Sequence, residues 1–251
     1  LLSDFFPSLD LQERSVLIVG MGALGCAAAR LLAPSRLGRL TLIDPDSVEI
    51  SNLQRQVLFR DADVGKAKAP AAVDALERNC KRRIPGIEAI TGRFDAGNAH
   101  ELAKRHDFVI DGSDDPETKY LINTATVATD TPYCYAGVMG TSGQLMSVRP
   151  GRSACLACVF PPDPATTAGA EGGCAAHGIV APVAGLIGSL QAREALLCLT
   201  RAEEFRPGRM VLYEMRLGRW RTVVFSKNPN CGCCASPHAA YAPRRQSICL
   251  L

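Results

Sequence analysis

The chain has little surplus charge of either sign: 28 Lys and Arg stand against 25 Asp and Glu, a formal net charge of +3 over 251 residues. The basic residues are scattered rather than clustered, so the electrostatic footprint of a nucleic-acid or anionic-membrane binder is missing. No nucleic-acid and no membrane partner is expected, while an acidic partner protein stays compatible. An uninterrupted apolar run of membrane-spanning length is also missing. The longest, Ile179 to Leu199, contains Gln191, Arg193 and Glu194 and is broken near its start by Pro182, which makes it a buried helix. There are no internal repeats. Of the four histidines, His100, His106 and His238 lack ligand spacing and are assigned to the surface. The chain opens Leu1-Leu2-Ser3-Asp4, with neither an initiator Met nor a basic-then-apolar leader; the expectation is a start downstream of the natural N-terminus and a cytoplasmic location.

What is present is 47% hydrophobic residues, enough to bury one large α/β core, so residues 1–251 are read as one domain. Within it, 1–14 is a lead-in, 161–178 a long loop rich in Pro, Ala, Thr and Gly, and 235–251 an irregular tail. Eleven cysteines without a leader argue for metal binding and thiol chemistry in a reducing compartment rather than for disulfides. Cys26, Cys80, Cys134 and Cys198 lie on apolar segments and are assigned to the core.

Val16 to Val19 is a β-branched run that ends at Gly20, and Ala23 to Ala33 follows as an Ala/Leu-rich helix closed by Pro34. Leu40 to Ile43 is a second strand, ending at Asp44. Lys66 to Cys80 and Asn98 to Arg105 read as helices, Ile87 to Thr91 and Phe108 to Ile110 as strands. After Pro132 come four strands, Tyr133 to Ala136, Gln144 to Arg149, Met210 to Met215 and Trp220 to Phe225, expected to form an antiparallel extension. The fold class is therefore α/β, a Rossmann-like, doubly wound and mainly parallel sheet with an antiparallel C-terminal part.

In such sheets ligands bind outside the carboxyl ends of the strands, so Gly20-Met21-Gly22-Ala23-Leu24-Gly25, Asp44 and the Asp111-to-Asp115 turn should meet at one crevice. Gly20, Gly22 and Gly25 would admit phosphate to the helix N-terminus, and Asp44 lies at the offset where an acid meets a ribose hydroxyl. These features alone also suit an NAD-dependent oxidoreductase. The segment Ser51-Asn52-Leu53-Gln54-Arg55-Gln56 is more discriminating, because it adds the amides of Asn52 and Gln56 and the guanidinium of Arg55 where a triphosphate would lie. Farther on, Cys155-Leu156-Ala157-Cys158 and Cys231-Gly232-Cys233-Cys234 are two C-x-x-C knuckles. Cys155, Cys158, Cys231 and Cys234 suit a structural four-thiolate Zn²⁺ site, with Cys233 left out on spacing; a redox pair is the alternative.

Taken together, these motifs resemble the MoeB/ThiF/HesA family of adenylyltransferases, related to ubiquitin-activating enzymes, from Val16 to Cys234. The resemblance implies that ATP and Mg²⁺ bind here. Arg55 and Lys68, rather than Lys66, would contact phosphate, and Asp114 would hold Mg²⁺. It places Cys174, ahead of Ile179 to Ala195, at the family's crossover-loop cysteine and gives these four residues the catalytic roles. Gly112 and Asp115 depart from the family's Asp-Cys-x-Asp-Asn turn; Asp115 is either a further metal ligand or a helix cap. Lys119 replaces a frequent Arg, and Asn123 is retained.

The implied activity is adenylation of the C-terminal Gly carboxylate of a small ubiquitin-like sulfur-carrier protein ending in Gly-Gly, serving molybdopterin or thiamin synthesis. A homodimer and a separate sulfurtransferase are the implied partners. The family's upstream Arg-Tyr-x-Arg-Gln segment is not in this chain. Within the superfamily, a tRNA-modifying dehydratase and a non-catalytic scaffold are the remaining alternatives.

Overall fold

The structure is a computed structural model and describes residues 11–162 and 178–235. Eight strands form one sheet: β1 (Ser15–Val19), β2 (Arg39–Asp44), β3 (Ile87–Thr91), β4 (Phe108–Asp111), β5 (Tyr133–Met139), β6 (Ser142–Val148), β7 (Arg209–Glu214) and β8 (Arg219–Val224), in the order β3-β2-β1-β4-β5-β6-β7-β8. Among the described residues six helices accompany them: α1 (Ala23–Leu32), α2 (Lys68–Cys80), α3 (Ala99–Lys104), α4 (Pro116–Ala128), α5 (Leu156–Val159) and α6 (Ala181–Leu199).

Side-chain alternation along the central strands builds two apolar layers. Val16 and Ile18 of β1, with Phe108 and Ile110 of β4, pack into the layer that contains α1, α2 and α6. Leu17 and Val19, with Val109, face the layer of α3 and α4. Burial on both faces is why these strands are continuous apolar runs rather than alternating ones. Cys26, Cys134 and Cys198 are buried as expected, and Cys80 is half-buried against the first layer. Among the described residues no helix is long and apolar enough to cross a membrane.

The structure corrects three expectations. Strand β5 is not the start of the antiparallel part: it pairs parallel with β4, Val109 opposite Tyr133, and the reversal begins at β6. Helix α4 supplies the crossover that a parallel connection requires. Helix α2 begins at Lys68 rather than Lys66, because Gly65 adopts φ +86° and residues 65–67 pair with the loop after β2 through Val48 N to Lys66 O and the Ser47–Ala67 bridge.

His106 is not on the surface. It is buried, its Nδ1 2.7 Å from Leu102 O and its Nε2 2.8 Å from Thr41 Oγ1, a core-strand hydroxyl that also lies 3.4 Å from Glu88 Oε2. The network assigns the proton to Nδ1. Burial lowers the pKa of this imidazole, so the fold holds it neutral. The unfolded chain takes up the proton below about pH 6.5, so stability should fall as pH drops from there towards the lower folded value. Urea melts from pH 7 to pH 5 should show that decline, and His106→Gln should flatten it relative to the parent.

Candidate active site

A cleft of about 370 Å³ opens at the carboxyl ends of β1, β2 and β4, lined by Gly20, Gly22, Asp44, Asn52, Arg55, Gln56, Lys68 and Asp114 together. Segments more than ninety positions apart in sequence thus meet in one concavity. Gly20 has φ +92°, and a Cβ there would lie 2.8 Å from Gly112 O, so the first loop and the end of β4 touch backbone to backbone. Gly22 is the N-cap of α1 and offers no side-chain cap, leaving the helix's first amides available to an anion. Gly25 does not line the cleft. A Cβ on it would fall 1.9 Å from Gly20 O, so its part is to let α1 lie against the loop.

Asp44 is buried and accepts from Met21 N at 2.6 Å and from Asp46 N at 2.8 Å. Burial raises its pKa, with the two amides pulling the other way. Past β2 the chain turns through a 3-10 segment, Ile50–Asn52, which seats Asn52 and Gln56 in the wall. The carbonyl oxygens Asn52 Oδ1 and Gln56 Oε1 are buried without a hydrogen-bond partner among the described residues. Orphaned acceptors of this kind cost about 1–3 kcal/mol each, and a ligand bearing donors relieves that cost. The half-buried Arg55 donates from Nη1 to Ser51 O at 2.9 Å, while Lys68 is buried at the start of α2 with Nζ 2.8 Å from Asp46 Oδ2.

Across the cleft, Asp114 is exposed in the turn between β4 and α4. Asp115 is a helix cap: its Oδ2 accepts from Thr118 N at 2.9 Å and from Thr118 Oγ1 at 2.7 Å. The turn is held from beneath by a buried pair, Lys119 Nζ lying 3.1 Å from Asp111 Oδ2 and 2.7 Å from both Ser113 O and Ala136 O. Asp46, Glu49, Arg93, Phe94 and Thr118 also line the cleft and carried no sequence signal beyond their neighbourhood. Cys174 and His177 lie outside the described residues.

A second cluster lies away from the cleft. The sulfurs of Cys155, Cys158, Cys231 and Cys234 all fall within 4.8 Å of one another. Cys155 to Cys158 is 3.8 Å, Cys155 to Cys231 3.7 Å and Cys158 to Cys234 3.4 Å. A tetrahedron with bonds of about 2.3 Å has edges of about 3.8 Å, so the donor set fits a tetrahedral thiophilic cation. Cys233 stays outside the four, accepting from Asn123 Nδ2 at 3.0 Å. Asn123 ties this cluster to α4, because its Oδ1 also accepts from Leu156 N at 2.9 Å and from the Tyr133 hydroxyl at 2.8 Å.

Comparison with known proteins finds relatives that match along most of the chain. The chain is 37% identical over 241 residues to the adenylyltransferase and sulfurtransferase uba4 of Emericella nidulans, covering 91% of this chain and 49% of that protein. It is 37% identical over 230 residues to the adenylyltransferase and sulfurtransferase MOCS3 of Bos taurus, covering 90% and 49%. The chain therefore spans about half the length of the curated relatives it matches. Among solved structures, E. coli MccB with ATP superposes with a TM-score of 0.75 at 23% identity, over 89% of this chain and 67% of that one, which shows a shared fold. Residues 7–233, a stretch that holds the glycine loop, the Asn52-to-Gln56 segment, the Cys155–Cys158 knuckle and the second knuckle as far as Cys233, match the ThiF family, and the chain belongs to it.

Proposed function

We propose that the cleft binds ATP with Mg²⁺ and adenylates the C-terminal Gly carboxylate of a small ubiquitin-like sulfur-carrier protein ending in Gly-Gly, in molybdopterin or thiamin biosynthesis. The observation that carries this reading is the convergence of Asn52, Arg55, Gln56, Lys68 and Asp114 on the glycine loop and Asp44. A nicotinamide site would use Gly20 to Asp44 and leave the rest without a task, and membership of the ThiF family supports the adenylation reading over it.

The attacking carboxylate is ionised at neutral pH, so no general base is required. Its oxygen forms a bond to the α-phosphorus, the bond to the bridging oxygen breaks, and pyrophosphate leaves with the electron pair. Catalysis then rests on position and charge. Arg55 and Lys68 shield the triphosphate, the first amides of α1 receive phosphate oxygens, and Asp44 takes a ribose hydroxyl. Asp114 would hold Mg²⁺, which supplies further neutralisation of the phosphates. Cys155, Cys158, Cys231 and Cys234 would hold a structural Zn²⁺. The carrier adenylate is the substrate of a sulfurtransferase, and the working state is a cytoplasmic homodimer.

The test is ATP–pyrophosphate exchange with candidate carriers. Exchange is expected with a Gly-Gly terminus and should vanish when those two residues are removed; exchange with no carrier dependence would sink the reading. Asp44→Ala should chiefly raise KM for ATP, since its partner is the ribose rather than the reacting phosphate. Cys174→Ala should keep full exchange, because no thiol enters the attack on phosphorus. Its deficit belongs in thiocarboxylate formation on the carrier, and lost exchange would instead make the loop part of the ATP site.

A further inference from the structure

The hydrogen bonds around Asp46 form a continuous chain along the cleft wall. Met21 N donates to Asp44 Oδ2, Asp46 N donates to Asp44 Oδ1, and Lys68 N donates to Asp46 O at 2.8 Å. Lys68 Nζ closes the chain at 2.8 Å from Asp46 Oδ2. One residue thus grips the lysine at both ends, backbone and ammonium, and it is the only acidic group in ion-pair range of Lys68 among the described residues.

The two partners differ in exposure: the Lys68 side chain is 9% accessible and that of Asp46 63%. The stem of the lysine is fixed in the wall while the carboxylate stands at the rim. An ammonium has three N–H donors, and Asp46 takes one of them, so two are left for phosphate oxygens. A lysine on a four-carbon stem otherwise loses considerable rotamer freedom when it is ordered by its ligand. Holding it beforehand moves that loss from the binding step into the fold.

We infer that Asp46 is a positioning residue for the adenylation: it holds the Lys68 ammonium ready at the place where the triphosphate arrives. This rests on the adenylation reading above. The opposite use of the same contact, an internal anion that ATP must displace, predicts the opposite sign and is separated by experiment.

Asp46→Asn keeps size and backbone and removes the charge. In the full chain, carrier-dependent exchange should fall about tenfold in kcat/KM, with Asp46→Glu recovering part of the loss. In a Lys68→Ala background the same substitution should cost nothing further, a non-additivity that a merely structural role does not produce. A readout independent of turnover is the acylation rate of Lys68 by acetic anhydride without nucleotide, followed by mass spectrometry; it should rise in Asp46→Asn. Unchanged or faster exchange, or an equal loss in the Lys68→Ala background, overturns the inference. If the parent shows no exchange while Lys68 labelling still accelerates, the adenylation reading falls and the tether stands.

Discussion

Alanine at Arg55, Lys68 or Asp114 is expected to lower carrier-dependent pyrophosphate exchange by a factor of about 10²–10³ in each case, with the protein still folded. Loss of one preorganised charge aimed at developing phosphate charge costs about 2.7–4 kcal/mol of barrier. The geometry explains why folding should survive. Among the described residues Arg55 donates only to the Ser51 carbonyl, Asp114 is exposed, and the partner that Lys68 would leave behind, Asp46, faces solvent. None of the three substitutions strands a buried ion. The comparison to make is exchange rate against urea midpoint for each variant: near-parental exchange in any one removes that residue's role, and a midpoint shifted by several kcal/mol of stability would mean that the loss was structural.

Much of the cleft is legible in the sequence because its residues sit at fixed offsets from strand ends. Gly20 follows β1, Asp44 ends β2 and Asp111 ends β4, and in a parallel sheet those three ends are neighbours. Offset reasoning fails where a position is set by a contact across the fold. Gly25 has the spacing of a phosphate loop, yet its lack of a side chain serves the packing of α1 on Gly20. Asp46 looks like an ordinary loop acid until the pairing of Ser47 with Ala67 brings the start of α2 beside it. His106, in the link between α3 and β4, has no local signal of burial, since its partner Thr41 lies 65 positions away on β2. Strand β5 shows the same limit: apolar pattern identifies the strand, whereas its direction depends on whether a helix precedes it.

The cysteine cluster carries the other large effect. Protein purified without chelator should contain one zinc per chain, and Cys155→Ser or Cys231→Ser should destabilise it by more than about 4 kcal/mol, with the metal lost from the purified variant. Two causes add. Four sulfurs packed within 4.8 Å need a cation or protons to coexist, and both knuckles are pinned to α4 through Asn123, which bonds Leu156 N and Cys233 Sγ. Helix α4 begins at the Asp115 cap beside Asp114, so loosening the knuckles reaches the cleft as well as the fold. Cys233→Ser is the control that separates coordination from packing. A serine hydroxyl still accepts from Asn123 Nδ2, so this variant should keep its zinc and lose only about 1 kcal/mol. Substoichiometric zinc in the parent protein would remove the metal assignment, and zinc lost from Cys233→Ser but retained in Cys155→Ser would put the fourth ligand in the wrong place.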